Sequence, residues 1–147
     1  MADQSSVPEQ ARKRADPPSF RARSLSVSLT VNDLQRSLTW YRDVVGFTVD
    51  LMHERDGRLN AVSLKAGDVR LRIAQDDGAK GMNRTKGVGL SLHLSTVQNV
   101  DDIAKRIKER GGTLESEPAD MPWGARVFRL RDPDGFLLAI SSTPADR

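Results

Sequence analysis

The sequence predicts an α+β fold in which one strand–helix–strands unit is used twice, and three observations predict it. Leu25–Val31 alternates apolar and polar residues, and Asn32-Asp33 then opens a helical pattern that stops at Gly46. Leu90–Leu94 alternates in the same way, and Asn99 opens a second helical pattern that stops at Gly111-Gly112. After each helix come short strand-like runs separated by turn residues. Internal repetition of this kind governs the choice of fold. It implies a pseudo-symmetric body with a shared groove, and the groove is where function is to be sought.

The first repeat places Leu25, Val27, Leu29 and Val31 on one side of a strand and Ser24, Ser26, Ser28 and Thr30 on the other. Asn32 is the expected N-cap, with Gln35 at the reciprocal capping position. Leu34, Leu38, Tyr41 and Val45 form the helical stripe, and Gly46 suits a left-handed C-terminal cap. Strands are expected near Phe47–Glu54, Leu59–Leu64 and Val69–Ala74, turning at Asp56-Gly57 and Ala66-Gly67-Asp68. In the second repeat, Leu90, Leu92 and Leu94 face inward while Ser91, His93 and Ser95 face outward. Val100, Ile103, Ala104 and Ile107 make the helical stripe, followed by strands near Thr113–Glu117, Arg126–Leu130 and Phe136–Ser141. The polar, glycine-rich stretch Gly78–Gly87 reads as a linker or mobile loop. The organisation is thus a flexible tail over 1–23 and a single domain over 24–143, with modules 24–77 and 89–143 joined by a linker at 78–88.

Composition narrows the function classes. A chain of 147 residues is expected to form one compact domain with a real core. No apolar run approaches the ~18 residues of a membrane span, and the N-terminus lacks a secretory signal's apolar middle. A cytoplasmic protein without membrane partners is the expectation. There are no cysteines, which excludes disulfides and thiolate metal sites. The net charge of +3 comes mostly from Arg12, Lys13, Arg14, Arg21 and Arg23 in a tail that also holds Pro8, Pro17 and Pro18. Such a segment buries too little apolar surface to order itself, and Phe20 is the one residue placed to pin it. Aromatics are only 5% of the chain and lack an RNA-binding pattern, so no nucleic-acid partner is expected. No Gly-x-Ser-x-Gly elbow or phosphate loop is present.

Two stretches carry a family resemblance. Val31-Asn32-Asp33-Leu34 with Ser37, Trp40-Tyr41 and Val45-Gly46-Phe47 resembles the opening of the vicinal oxygen chelate (VOC) superfamily. Pro122-Trp123-Gly124 followed by Asp132-Pro133-Asp134-Gly135 resembles the closing motif of its glyoxalase/bleomycin-resistance branch. That superfamily includes glyoxalase I, extradiol dioxygenases and bleomycin-resistance proteins. Over residues 24–142 the resemblance implies two βαβββ modules whose curved sheets form an incomplete barrel around a ligand cavity. It also implies a homodimer, with grooves formed or closed between subunits.

The metal enzymes of the superfamily hold a divalent ion on matching strands with His, Gln or Glu. The matching positions here are Ser26, seven residues before Asp33, then about Arg72, then Ser91 or Leu92, and Ala139. His93 is one or two residues out of register with the third of these. One imidazole does not make a divalent site, which wants roughly three or more good donors, and a cation beside Arg72 would be repelled. No metal or other cofactor is expected. Glyoxalase or dioxygenase chemistry would then lack its Lewis acid.

What remains is a groove lined by alternation. Val69, Leu71 and Ile73 should face the helices and turn Arg70 and Arg72 into the groove, and Val62 and Leu64 likewise leave Ser63 and Lys65 there. With Ser26, Ser28, His93 and Ser141 the lining is polar and positively biased, suited to a polar or anionic small molecule. Plainer readings stand beside each residue. Arg70 and Arg72 can be solvent-facing residues protecting a strand edge, and His93 a structural histidine. Trp123 is a packing anchor or a ligand platform at the groove mouth, and Trp40 and Tyr41 serve core or dimer packing. Asp132 and Asp134 stabilise a turn, and His53 is expected on the exposed surface.

The expected function is metal-independent binding of a small molecule, in the manner of antibiotic or toxin sequestration. Bleomycin itself fits poorly, because a cationic drug calls for an acidic groove. The alternative is a glyoxalase-like lyase or isomerase, or a dioxygenase-related enzyme, with a non-standard site around His93. In it, Arg72 or Lys65 would stabilise an oxyanion. A third reading gives the basic tail a regulatory partner.

Overall fold

A computed structural model describes residue 18 and residues 20–143 of the chain. Most of the basic tail, and the partner reading attached to it, lies outside the described residues.

Two four-stranded sheets, each carrying one helix, make up the fold. The first module runs β1 (Val27–Val31), α1 (Leu34–Thr39, continued by a π-helical turn over Trp40–Val45), β2 (Thr48–Arg55), β3 (Arg58–Ala66) and β4 (Val69–Gln75). The second runs β5 (Ser91–Ser95), α2 (Val100–Glu109), β6 (Ser116–Asp120), β7 (Arg126–Arg131) and β8 (Leu137–Ser142). The sheet orders are β1-β4-β3-β2 and β5-β8-β7-β6. In each, the strand before the helix pairs in parallel with the module's last strand, and the other pairs are antiparallel. The sheets are not joined to one another. No described helix is long and apolar enough to cross a membrane.

Alternation decides which face packs. Leu29, Val31, Val62, Leu64, Leu71 and Ile73 of the first sheet meet Leu34, Leu38 and Tyr41 of its helix. Phe128, Leu130, Leu138 and Ile140 of the second meet Val100, Ala104 and Ile107. These residues form one continuous buried cluster, so the modules share a core through their helical faces. Tyr41 is fully buried and packs edge-on against Trp40 and Phe47, at centroid distances of 4.8 and 5.6 Å. Such aromatic pairs add about 1 kcal/mol each beyond the area they bury.

A polar junction ties the modules together. The Tyr41 hydroxyl donates to Asp132 Oδ2 at 2.7 Å, and Asp132 Oδ1 accepts the backbone N–H groups of Asp134 and Phe136 at 2.9 Å each. Asp134, its side chain fully buried, accepts from the Ser37 hydroxyl at 3.4 Å and from Asn32 N. The turn expected from Asp132-Pro133-Asp134-Gly135 therefore also fastens β7–β8 of one module to α1 of the other. Burial pushes the Asp132 carboxyl above the usual aspartate range, against the opposing pull of its three hydrogen bonds. Burial also pushes the Tyr41 hydroxyl far up, with the Asp132 charge adding to it.

The connection between the modules is fastened at both ends. Lys86 Nζ donates to Asn32 Oδ1 at 2.7 Å and to Asp76 Oδ2 at 2.8 Å, with both side chains of the ion pair nearly buried. At Gly87 (φ +81°) a Cβ would stand 2.8 Å from the Gly135 carbonyl oxygen, so only glycine fits.

Several expected details shift. The N-cap of α1 is Asp33, whose side chain accepts from Arg36 N at 3.1 Å, because Asn32 is taken by Lys86 and Asp134. Gln75, one strand away, supplies a further acceptor for Leu34 N at 2.9 Å. Leu25 is 90% exposed and Leu90 42% exposed, since β1 and β5 begin one or two residues after them. Phe20 is 91% exposed and pins nothing among the described residues. β6 starts at Ser116 rather than Thr113, and Pro118 sits at a register shift between Ser116 and Ala119. An edge strand tolerates proline there because no ladder hydrogen bond is lost.

Candidate ligand-binding faces

Each sheet has a face that no helix covers, and the expected site residues divide between the two. On the first sheet, Ser28, Arg72, Ser63 and Leu51 form one cross-strand row. Arg70, Lys65 and Thr48 form the next row, and Thr30, Ala74, Ala61 and His53 the row on the other side. On the second sheet, His93, Ala139 and Arg129 form one row. Ser95, Ser141 and Val127 form the next. Ser26 lies one residue ahead of β1 and is exposed. Trp123 is 71% exposed in the tight turn between β6 and β7, which closes through Met121 N to Ala125 O at 2.7 Å.

The charges on the first face are partly paired. Asp50 accepts from Arg70 Nη1 and lies 4.0 Å from Lys65 Nζ. Arg72 Nη1 donates to Ser28 Oγ at 3.0 Å. On the second face, Arg131 is engaged by Glu115 at 2.6 Å and by the Gly135 carbonyl at 2.9 Å. His93 Nε2 lies 2.9 Å from Ser91 Oγ. Ser91, His93 and Ser95 point away from the helix and Leu92 and Leu94 toward it, which settles the register of this strand.

Two residues escaped the sequence reading. His53 is half-buried on the open face, with Nε2 within 3.5 Å of Ser63 Oγ, rather than on an exposed strand end. Asp50 belongs to the same face. For His53 the cause is a register shift between Val49 and Leu51: one extra residue reverses the alternation beyond it. Local sequence holds no clear signal of that bulge.

Concavities elsewhere do not involve these residues. One of about 400 Å³ lies at the β2–β3 hairpin end between Arg55, Arg58, Asn60 and Gln75. Another lies on the outer side of α1, around Arg36, Trp40 and Pro133.

The donor set at the implied metal positions does not fit a divalent ion. Ser26 and Ser91 offer neutral hydroxyls, Arg72 a cation and Ala139 nothing. Among the described residues no three His, Asp or Glu side chains converge in a way that could hold a metal.

Two strand–helix–strands modules with one covered and one open sheet face define a class of paired βαβββ proteins. Residues 23–140 match the family model described as Glyoxalase/Bleomycin resistance protein/Dioxygenase superfamily, and the chain belongs to that family. It is 27% identical over 125 residues to a bleomycin resistance protein of Geobacillus stearothermophilus, covering 77% of this chain and 91% of that one. To a probable lactoylglutathione lyase of Synechocystis it is 23% identical over 132 residues, covering 84% and 97%. Among solved structures, TnmS3, an antibiotic binding protein from Streptomyces, superposes with a TM-score of 0.66 at 21% identity, covering 85% of this chain and 99% of that one. The similar proteins thus include a resistance protein, a probable lyase and an antibiotic binding protein by name.

Proposed function

We propose that this chain is a metal-independent small-molecule binding protein of the family, which sequesters a polar or anionic compound without changing it. The observation that carries the reading is Arg72: a guanidinium stands on the open face where the metal enzymes would place a carboxylate ligand. A positive charge there repels a divalent ion and attracts an anion. The names of the bleomycin-resistance relatives and of the antibiotic-binding neighbour support sequestration as the mode of action. In this reading a second copy of the chain closes the groove, which the placing of the open faces on two separate sheets supports. Ser26, Ser28, Ser63, Lys65, Arg70, Arg72, His93, Ser141 and Trp123 then contribute its lining, in a cytoplasmic homodimer.

The test is calorimetric titration of chelator-stripped protein with nickel, zinc, manganese and ferrous iron. No stoichiometric heat from any of the four is expected. Tight one-to-one binding that His93→Ala abolishes would overturn the reading and favour the lyase or isomerase alternative.

A further inference from the structure

The open face of the first sheet distributes its charge unevenly. Lys65 and Arg70 are direct cross-strand partners, an arrangement of like charges that costs stability by itself. Asp50 relieves it. As the extra residue of the bulge between Val49 and Leu51, it reaches over β3 to Arg70 on β4 while lying 4.0 Å from Lys65. Bulges re-aim side chains in this way.

One row along, Arg72 has no carboxylate. Its Nη1 is tethered to Ser28 Oγ at 3.0 Å, and among the described residues its Nε and Nη2 have no protein partner. Ser63, its cross-strand neighbour on β3, adds a hydroxyl to the same face, with His53 within 3.5 Å of that hydroxyl. A tethered guanidinium with a free fork fits the two oxygens of a carboxylate.

We propose that this face selects singly charged carboxylates: Arg72 anchors the carboxylate, and Asp50 excludes dianions by holding Arg70 and Lys65. The proposal rests on the small-molecule binding reading and specifies its ligand class. Of the three cations in the adjoining Arg70 and Arg72 rows, two are engaged by Asp50 and one is left for a ligand. A second negative charge on the ligand meets the Asp50 carboxylate instead of a free cation.

Benzoate and phenyl phosphate share a ring and differ in head-group charge, which near pH 8 is one against two. The experiment follows amide shifts of the full chain by two-dimensional NMR during titration with each probe. Benzoate should perturb β1, β3 and β4 saturably and bind more tightly than phenyl phosphate. Arg72→Gln should weaken benzoate about tenfold or more, and Arg72→Lys nearly as much, because lysine keeps the charge and loses the fork. Asp50→Asn should move the phenyl phosphate to benzoate affinity ratio about tenfold toward the dianion. Both side chains are solvent-accessible, and retained spectral dispersion verifies that the variants fold.

Equal affinity for the two probes, or a ratio that Asp50→Asn leaves unmoved, overturns the selectivity while leaving small-molecule binding standing. Failure of both probes to perturb either open face, in the native chain and in Asp50→Asn, overturns the binding of small anions and the selectivity together. Shifts on this face that appear only on changing protein concentration would assign it to a second copy of the chain, and that too overturns the proposal.

Discussion

In the first module the row Ser28–Arg72–Ser63 crosses the open face, and by strand register its counterpart in the second is His93–Ala139–Arg129. On the covered faces the same matching sets Leu29 against Leu94, Leu71 against Leu138, Ile73 against Ile140 and Leu64 against Leu130. The covered faces are nearly interchangeable because each must fill the same space under a helix, and volume errors there cost kilocalories. The open faces carry no such constraint, so one holds a guanidinium between two hydroxyls and the other a methyl group between an imidazole and the Arg129 guanidinium. The two halves share a fold and differ in chemistry, which places the discriminating residues on the faces that do not pack.

The junction is the second asymmetry. Counting from the N-caps Asp33 and Asn99, the helix position of Tyr41 corresponds to Ile107. The long turn 132–136 corresponds to the two-residue turn Gly67-Asp68. Only one module therefore bolts itself to the other. Asp132→Ala would strand three donors, the buried Tyr41 hydroxyl and Phe136 amide and the part-buried Asp134 amide. At about 1 kcal/mol or more for each orphaned group, a loss of about 3 kcal/mol is expected in urea unfolding. Asp68→Ala, at the exposed counterpart turn, should stay within about 0.5 kcal/mol of the native chain. Equal effects at both turns would erase the asymmetry.

The same comparison can be sharpened with pH, since the two carboxylates act in opposite directions. Asp76, at the end of the first module, is held down to about 2, chiefly by the Lys86 hydrogen bond and then by the Gly78 amide. Its folded pKa lies below the ordinary value of about 3.9. Its stabilising effect is therefore present above about pH 4 and lost as pH falls toward 2. Asp132, in the second module, is shifted upward by burial, so its effect on stability declines as pH rises above the ordinary aspartate range. Thermal unfolding across pH should show Asp76→Asn flattening the acid limb. Asp132→Asn should remove a decline on the other side. A native profile unaltered by either substitution would show that neither carboxylate is coupled to folding as its surroundings imply.

The packed half of the molecule was legible in the sequence because burial follows a period of two along strands and a helical period along α1 and α2. The repeat, both helical stripes and the covered residues of β3, β4, β7 and β8 follow from it. What alternation cannot carry is the bulge at Asp50, since one inserted residue reverses every later side chain of the strand. That irregularity turns His53 onto the open face, whereas Asp50 shares the side of Thr48 by plain alternation. The Tyr41–Asp132 bond joins residues 91 positions apart, and no local pattern signals such a contact. Trp40-Tyr41 and Asp132-Pro133-Asp134-Gly135, the stretches that carried the family resemblance, turn out to touch each other. They mark the fold's fastening and leave the open faces unspecified.

The smallest expected effects test whether the open faces were free to diverge at all. Arg72 and His93 are exposed, and each makes one hydrogen bond to a serine hydroxyl on its own face. Neither supports the shared core, and exposed hydrogen bonds exchange readily for water. Arg72→Ala and His93→Ala should therefore each change unfolding stability by no more than about 0.5 kcal/mol, far less than Asp132→Ala. A loss above about 1.5 kcal/mol at either residue would mean that its row contributes to folding. The contrast between the modules would then be a packing difference, and the guanidinium and imidazole would no longer mark a binding function. Near-neutral stability in both variants would leave ligand recognition as the property that separates the two faces.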